Sequence, residues 1–180
     1  MPTAPADMSA LEPATAVADL SDRISGILHA AKSNQRGLMR VQVPIVAPDP
    51  ATWLMSQHPG DRLYWSDRDR GFTMAGVGTA LTLHLSDPDK PRAFFDHART
   101  LLSDCSPDIR LYGGFRFDNN RPVSPQWRQF AFGQFILPRF ELVARDGSAN
   151  LAANLVLPDD HDRIDDILHH LAGLDRKSVV

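Results

Sequence analysis

The sequence has one cysteine, Cys105, in 180 residues. It cannot close an internal disulfide and has no second thiol for a CxxC metal or redox pair, which suits a reducing compartment. No apolar run approaches the roughly 20 residues that a helix needs to cross a bilayer. Met1 to Pro13 carries acids and prolines where an export signal would carry a basic start and an apolar core. Together these absences predict a cytoplasmic protein. There is also no excess of basic charge: 19 Lys and Arg stand against 22 Asp and Glu, for a formal net charge of −3. Nucleic acids and anionic membranes select clustered Lys and Arg, so neither is expected as a partner. Internal repeats are absent, and low complexity is confined to the Ala- and Pro-rich start.

What is present is ordinary globular material, 43% hydrophobic and 23% charged, enough for one domain with a core. Residues 1–15 lack periodicity and read as a disordered tail, 16–174 as a single domain, and 175–180 as a truncated linker or tail. Val17, Leu20, Ile24, Ile27, Leu28 and Ala31 recur at helical spacing, predicting an amphipathic helix from Ala16 to near Gly37. Leu38 to Val46 alternates as a strand that Pro44 and Pro48 confine to an edge. A short helix over Pro50 to Gln57 follows. Arg62 to Ser66 and Phe72 to Leu85 form a hairpin, the longer strand bending at Gly76 and Gly78. Beyond an Asp87-Pro88-Asp89 cap, Phe94, Phe95, Ala98, Leu101 and Leu102 mark a second amphipathic helix. Strands are predicted over Ile109 to Phe117, Gln134 to Arg145 and Asn150 to Leu157, the last two joined by an Asp146-Gly147 turn. A final helix runs from Asp160 to Gly173. Hairpins with inserted helices, and no regular strand-helix alternation, argue for an α+β domain with a largely antiparallel sheet and helices packed on it.

Several groups of residues have types and spacings that carry chemistry in other proteins. Gly76-Val77-Gly78 lies inside a β-type run, whereas phosphate-cradling glycines end a strand and open a helix, so a bulge or close strand packing is the better reading. His161, Asp165 and His169 are spaced to share a helix face and could ligate a metal, but that spacing is common on solvated helices, and the acids from Asp159 to Asp166 complement a helix N-terminus. Cys105 has no histidine near it in sequence to make a thiolate and reads as a loop or core thiol. Phe115, Phe117, Trp127, Phe130, Phe132, Phe135 and Phe140 are dense enough for a stacking platform, yet without a basic patch they are expected in a core. From the residues alone, no catalytic, cofactor-binding or metal-binding residue is assigned.

Three stretches resemble the N-terminal region of isochorismate synthases, members of the chorismate-utilising enzymes. Trp53-Leu54-Met55-Ser56-Gln57 with Leu63-Tyr64-Trp65-Ser66 is similar to that family's WL and SQ segment and its following aromatic-Trp pair. Gly113-Gly114-Phe115-Arg116-Phe117 resembles its GGF-x-F segment. Trp127-Arg128-Gln129-Phe130 and Phe135-Ile136-Leu137-Pro138-Arg139 resemble its W-x-x-F and F-x-LPR elements. Scaffold roles account for these residues: close backbone approach at Gly113-Gly114, buried surface from Trp65 and Trp127, and a strand end or edge at Pro138.

The resemblance implies a chorismate-binding fold and a magnesium-dependent conversion of chorismate to isochorismate, for menaquinone or siderophore synthesis. In it a lysine activates water and a glutamate serves as acid. The family places those residues, and the glutamates holding Mg2+, in its later half, beginning with a K-V-V-L-A-R type strand. Lys177 lacks that pattern and is not assigned the role. The chain is therefore expected to be the non-catalytic N-terminal half, a fragment or one part of a split enzyme, inactive alone and able to use chorismate only when completed. Two alternatives stay open: a non-catalytic module that binds a partner or a small aromatic acid, and the N-terminal half of a salicylate or anthranilate synthase. An uncovered sheet edge would favour self-association.

Overall fold

The structure, a computed structural model, describes residues 9–32, 34–46, 49–57, 60–87, 89–118, 125 and 132–175. Its elements in chain order are α1 (Pro13–Ala30), β1 (Gly37–Pro44), α2 (Pro50–Ser56), β2 (Arg62–Ser66), β3 (Phe72–Leu85), α3 (Pro91–Leu102), β4 (Tyr112–Phe115), β5 (Gly133–Arg145), β6 (Ser148–Leu157) and α4 (Ile164–Asp175). The strands form one sheet in the order β1-β6-β5-β3-β2, and β4 pairs with the first residues of β5. Every one of these pairings is antiparallel, so the fold is the α+β architecture expected from the hairpin pattern. β1 lies at one end of this order and closes on Pro44, opposite Asn150 of β6, while Pro48 lies outside the described residues.

Local chemistry explains the elements. Asp146 and Gly147 both take positive φ, 50° and 81°, which matches the twist of a two-residue hairpin and sets Arg145 opposite Ser148. α1 buries Ala16, Leu20, Ile24 and Leu28, a stripe at four-residue spacing against β1, β6 and α4. That helix opens at Pro13, and Leu11 bridges to Ile45, so the ordered fold begins ahead of the expected boundary at Ala16. It also ends earlier than expected: Ala31 is already extended, and the polar residues after it offer no apolar face to prolong the stripe. α3 starts after Lys90 with no side-chain cap; Asp87 instead accepts from the Asp89 amide and pairs with Lys90.

The two faces of the sheet differ. Val41, Val43, Leu151, Ala153, Leu155, Phe140 and Leu142 point to the face covered by α1, α2 and α4, where Trp53, Ile167 and Leu171 complete the main core. The opposite face is covered by α3 at one end, through Leu83, Leu85 and Phe94. Its middle carries the alternate residues of β1, β5 and β6, among them Arg40, Glu141 and Asn154.

Two expectations are corrected. Pro138 is not at a strand end; it lies inside β5, flanked by paired residues on both sides. The neighbouring strand accommodates it with a bulge: Thr79 pairs with Pro138 and Leu81 with Leu137, leaving Ala80 over, so the ladder does not need the N–H that proline lacks. A Cβ on Gly76 would lie 2.8 Å from the Pro138 ring, and Gly78 takes φ +67° beside the bulge, so these glycines serve strand packing. Trp65 is not buried; it is 44% exposed on edge strand β2, edge-on to Phe72. Trp127 lies outside the described residues.

At Gly113 a Cβ would sit 1.9 Å from the Gln134 carbonyl oxygen and 2.7 Å from the Phe135 Cα, both backbone. Gly113→Ala is expected to push β4 off β5 and lower unfolding free energy by about 1–3 kcal/mol in urea titration, the range for overpacking. Gly114→Ala, with nothing within 4 Å, is the control and is expected to change little.

Candidate functional site: a cleft on the polar face of the sheet

The alternation that gives α1 its apolar floor sends a polar set to the other face. Arg40 of β1 is opposite Asn154 of β6, and Glu141 of β5 lies one strand further on. Arg40 Nη1 donates to Glu141 Oε2 at 2.9 Å and to Asn154 Oδ1 at 3.1 Å. Asn154 Nδ2 donates to Glu141 Oε1 at 2.7 Å and to the Pro138 carbonyl at 2.8 Å. The Arg40 and Glu141 side chains are 3% and 0% exposed. Burial holds the Glu141 carboxyl above the usual carboxylate range, partly opposed by the attraction and hydrogen bond of Arg40 and the hydrogen bond from Asn154.

Beside this network a polar pocket of about 100 Å³ opens, with Arg40, Arg110, Tyr112, Glu141 and Arg145 in its wall. It adjoins a cleft of about 500 Å³ between α3, β4 and the β2–β3 hairpin, lined by Trp65, Phe94, Phe95 and Phe135. Phe72, Arg110 and Tyr112 belong to both walls. The Arg110 guanidinium lies 4.2 Å from the centroid of the Phe72 ring. The Tyr112 hydroxyl is buried with no hydrogen-bond partner among the described residues. Burial and the Glu141 charge both push this phenol upward, so it stays protonated and able to donate.

A second buried ion pair sits at the far end of β6. Arg139 Nη2 donates to Asp160 Oδ1 at 2.9 Å, Nη1 donates to Oδ2, and Oδ2 also accepts from the Val156 amide at 2.6 Å. Asp160 was expected among the acids complementing a helix N-terminus; it is buried instead, committed to the sheet, and the helix opens with a 3-10 turn at His161–Arg163.

The other residues weighed in the sequence are dispersed. The His161 ring nitrogen lies 3.1 Å from the Leu28 carbonyl, tying the turn to α1, while Asp165 and His169 are exposed. Cys105 is half-buried with Sγ 3.1 Å from the Leu101 carbonyl, a local contact. Among the aromatics, Phe140 is core, but Phe115 is exposed and Phe117 fully so, contrary to the core expectation. Phe115 packs with Phe94, Phe95 and Phe135 at the mouth of the cleft. Trp127 and Phe130 lie outside the described residues. Magnesium, implied by the family resemblance, finds no fitting donor set: no three His, Cys, Asp or Glu are grouped to hold an ion among the described residues, and both fully buried carboxylates are bound to arginine.

None of Arg40, Arg110, Tyr112 and Glu141 stands out in the sequence. A signal existed only for Glu141, a carboxylate between Phe140 and Leu142 in an otherwise apolar strand, where a charge demands a buried partner.

The family model for chorismate binding enzymes matches residues 25–179. The chain is 28% identical over 181 aligned residues to a chloroplastic isochorismate synthase of Catharanthus roseus, covering 79% of this chain and 31% of that protein. It is 30% identical over 170 to chloroplastic isochorismate synthase 2 of Arabidopsis thaliana, covering 79% and 29%. Against isochorismate synthase MenF of Bacillus subtilis strain 168 the identity is 26% over 133, covering 64% and 28%. The solved structure of the menaquinone-specific isochorismate synthase MenF from Escherichia coli shares the fold, with a TM-score of 0.59 and 20% identity over 87% of this chain and 34% of that one. The chain thus spans about a third of the length of the proteins it matches, their N-terminal part. It belongs to the chorismate-binding enzyme family.

Proposed function

From that membership we propose that the chain is the scaffold portion of an isochorismate synthase type of enzyme, inactive by itself and completed by a separate or further C-terminal half. The complete protein would convert chorismate to isochorismate, with magnesium held by that other half, for menaquinone or a siderophore-type product. The observation that supports this most is that the match runs along nearly the whole chain yet covers 28–31% of the curated relatives. The charge chemistry is in accord: Glu141 and Asp160, the two fully buried carboxylates among the described residues, are each held by an arginine, which leaves neither as a ready general base. The three relatives named above are isochorismate synthases, which favours that reaction over salicylate or anthranilate synthesis.

The test is conversion of chorismate with magnesium by the purified chain, alone and mixed with the C-terminal half of a related isochorismate synthase. No turnover alone and isochorismate on mixing is the expected result. Isochorismate from the chain alone would overturn the scaffold reading, and failure of both would favour the binding-module reading.

A further inference from the structure

We propose that the polar pocket beside the cleft is a site for a small tetrahedral oxyanion, with the chemistry of inorganic phosphate, held by Arg110, Arg145 and the Tyr112 hydroxyl. The inference rests on the size and charge of the pocket and is independent of turnover by the chain or its completion.

Size separates this pocket from the aromatic cleft. Its volume is about 100 Å³, whereas sites for organic ligands and cofactors begin near ~300 Å³. It has room for about three waters, at roughly 30 Å³ each, and so for an ion of a few heavy atoms but not for a substituted ring.

Tyr112 points to an acceptor. It is 8% exposed, and its hydroxyl has no hydrogen-bond partner among the described residues. The charges that act on its phenol are those of Glu141, Arg110 and Arg40, all in the wall of the polar pocket, which sets the hydroxyl at that end of the ring. Burial and the Glu141 charge keep the phenol protonated, so it offers an O–H to whatever fills the pocket. Water would satisfy the hydroxyl alone. The arginines select an acceptor that also carries charge. The Arg110 guanidinium lies over the Phe72 ring and makes no hydrogen bond or ion pair among the described residues, which leaves its N–H groups for an anion. Arg145 is tied only to the exposed Asp146, with Nε 3.6 Å from its carboxylate.

The charge balance favours the same ligand. Glu141 is matched by Arg40 at 2.9 Å, which leaves Arg110 and Arg145 against Asp108 in the wall. A cation would meet two arginines there. Arg110 precedes β4, Tyr112 opens it and Arg145 ends β5, so the donors come from three separate points of the chain. A tetrahedral ion presents four oxygens to donors so distributed, whereas a carboxylate presents two in one plane.

Inorganic phosphate, titrated into the 180-residue chain at pH 7 with ionic strength held by sodium chloride, is the probe, followed by calorimetry and by the thermal unfolding midpoint. Saturable binding at one site is expected, with a midpoint that rises with phosphate, and with sulfate competing where chloride does not. Arg110→Gln should weaken phosphate by about tenfold or more. Tyr112→Phe should weaken it by about three- to tenfold, while its midpoint without phosphate stays equal or higher, because only an unpaired hydroxyl is removed. Asp108→Asn should tighten binding by about two- to fivefold, the scale of one partly exposed charge interaction. Arg92→Gln, at an exposed arginine of α3 outside the pocket wall, is the control for general charge and should leave affinity unchanged. Absence of saturable phosphate binding, unchanged affinity in folded Tyr112→Phe, or equal weakening by Arg92→Gln and Arg110→Gln would each overturn the proposal. Acetate displacing phosphate at equal concentration would also overturn it, making the pocket one for a planar carboxylate. The readout involves no turnover, so its failure is distinct from failure of the scaffold reading.

Discussion

Asp160→Ala is expected to lower the unfolding free energy by about 3–5 kcal/mol, the cost of leaving one member of a buried ion pair without its partner. The pair is among the most deeply buried charges of the fold, with the Arg139 and Asp160 side chains 5% and 1% exposed. Asp160 receives both Nη atoms of Arg139 and the Val156 amide, so its loss strands a guanidinium and a backbone N–H together. Arg139 keeps one bond, from Nη1 to the Asn154 carbonyl at 2.8 Å, which cannot neutralise its charge. His170, whose pKa burial and the Arg139 charge lower, is neutral at pH 7 and brings no counter-charge to replace the carboxylate. Asp160→Asn retains an acceptor and should cost less than Asp160→Ala. Urea unfolding of the three proteins at pH 7 is the measurement, and a loss below 1 kcal/mol for Asp160→Ala would mean that the guanidinium reaches water in the folded chain.

That ion pair illustrates what the sequence could and could not convey. Periodicity read the strands well because each side chain of β3, β5 and β6 reports its face by alternation, and the Asp146-Gly147 turn fixed one register. Helix ends were less legible, since they depend on caps and on what packs beyond them: Leu11 reaching Ile45 extends the ordered start, and Asp87 pairs with Lys90 instead of capping. Pro138 defeated a positional rule because the accommodation lies on the opposite strand, at Ala80, fifty-eight residues away in the chain. Asp160 read as one of a run of helix-start acids; only the tertiary fold brings Arg139 to it. The cleft was invisible for the same reason. Tyr112, Arg110 and Phe72 come from separate segments, and an unpaired hydroxyl is a property of surroundings, which composition and spacing do not encode.

Glu141→Ala is the second large loss expected, about 3–5 kcal/mol, since it leaves Arg40 buried without its counter-ion and deprives the Asn154 amide of an acceptor. Glu141→Gln separates charge from hydrogen bonding, because it keeps an acceptor oxygen and never ionises. Burial raises the folded pKa of Glu141 above its ordinary value of 4.5. Between the two values the folded chain holds a proton that the unfolded chain has released, so stability falls as pH rises. The contribution is complete below the unfolded pKa and is lost as pH passes through the folded one. The wild-type chain should therefore lose stability relative to Glu141→Gln between about pH 4 and the raised folded pKa, and the difference should level off above it. Urea unfolding of both proteins across that range tests the sign. A difference that instead grows in favour of the wild type with rising pH would show that the attraction of Arg40 exceeds the cost of burying the carboxylate. In that event the network of Arg40, Glu141 and Asn154 would be a source of stability at neutral pH, and the polar floor of the cleft would owe its charge balance to a strong pair instead of a strained one.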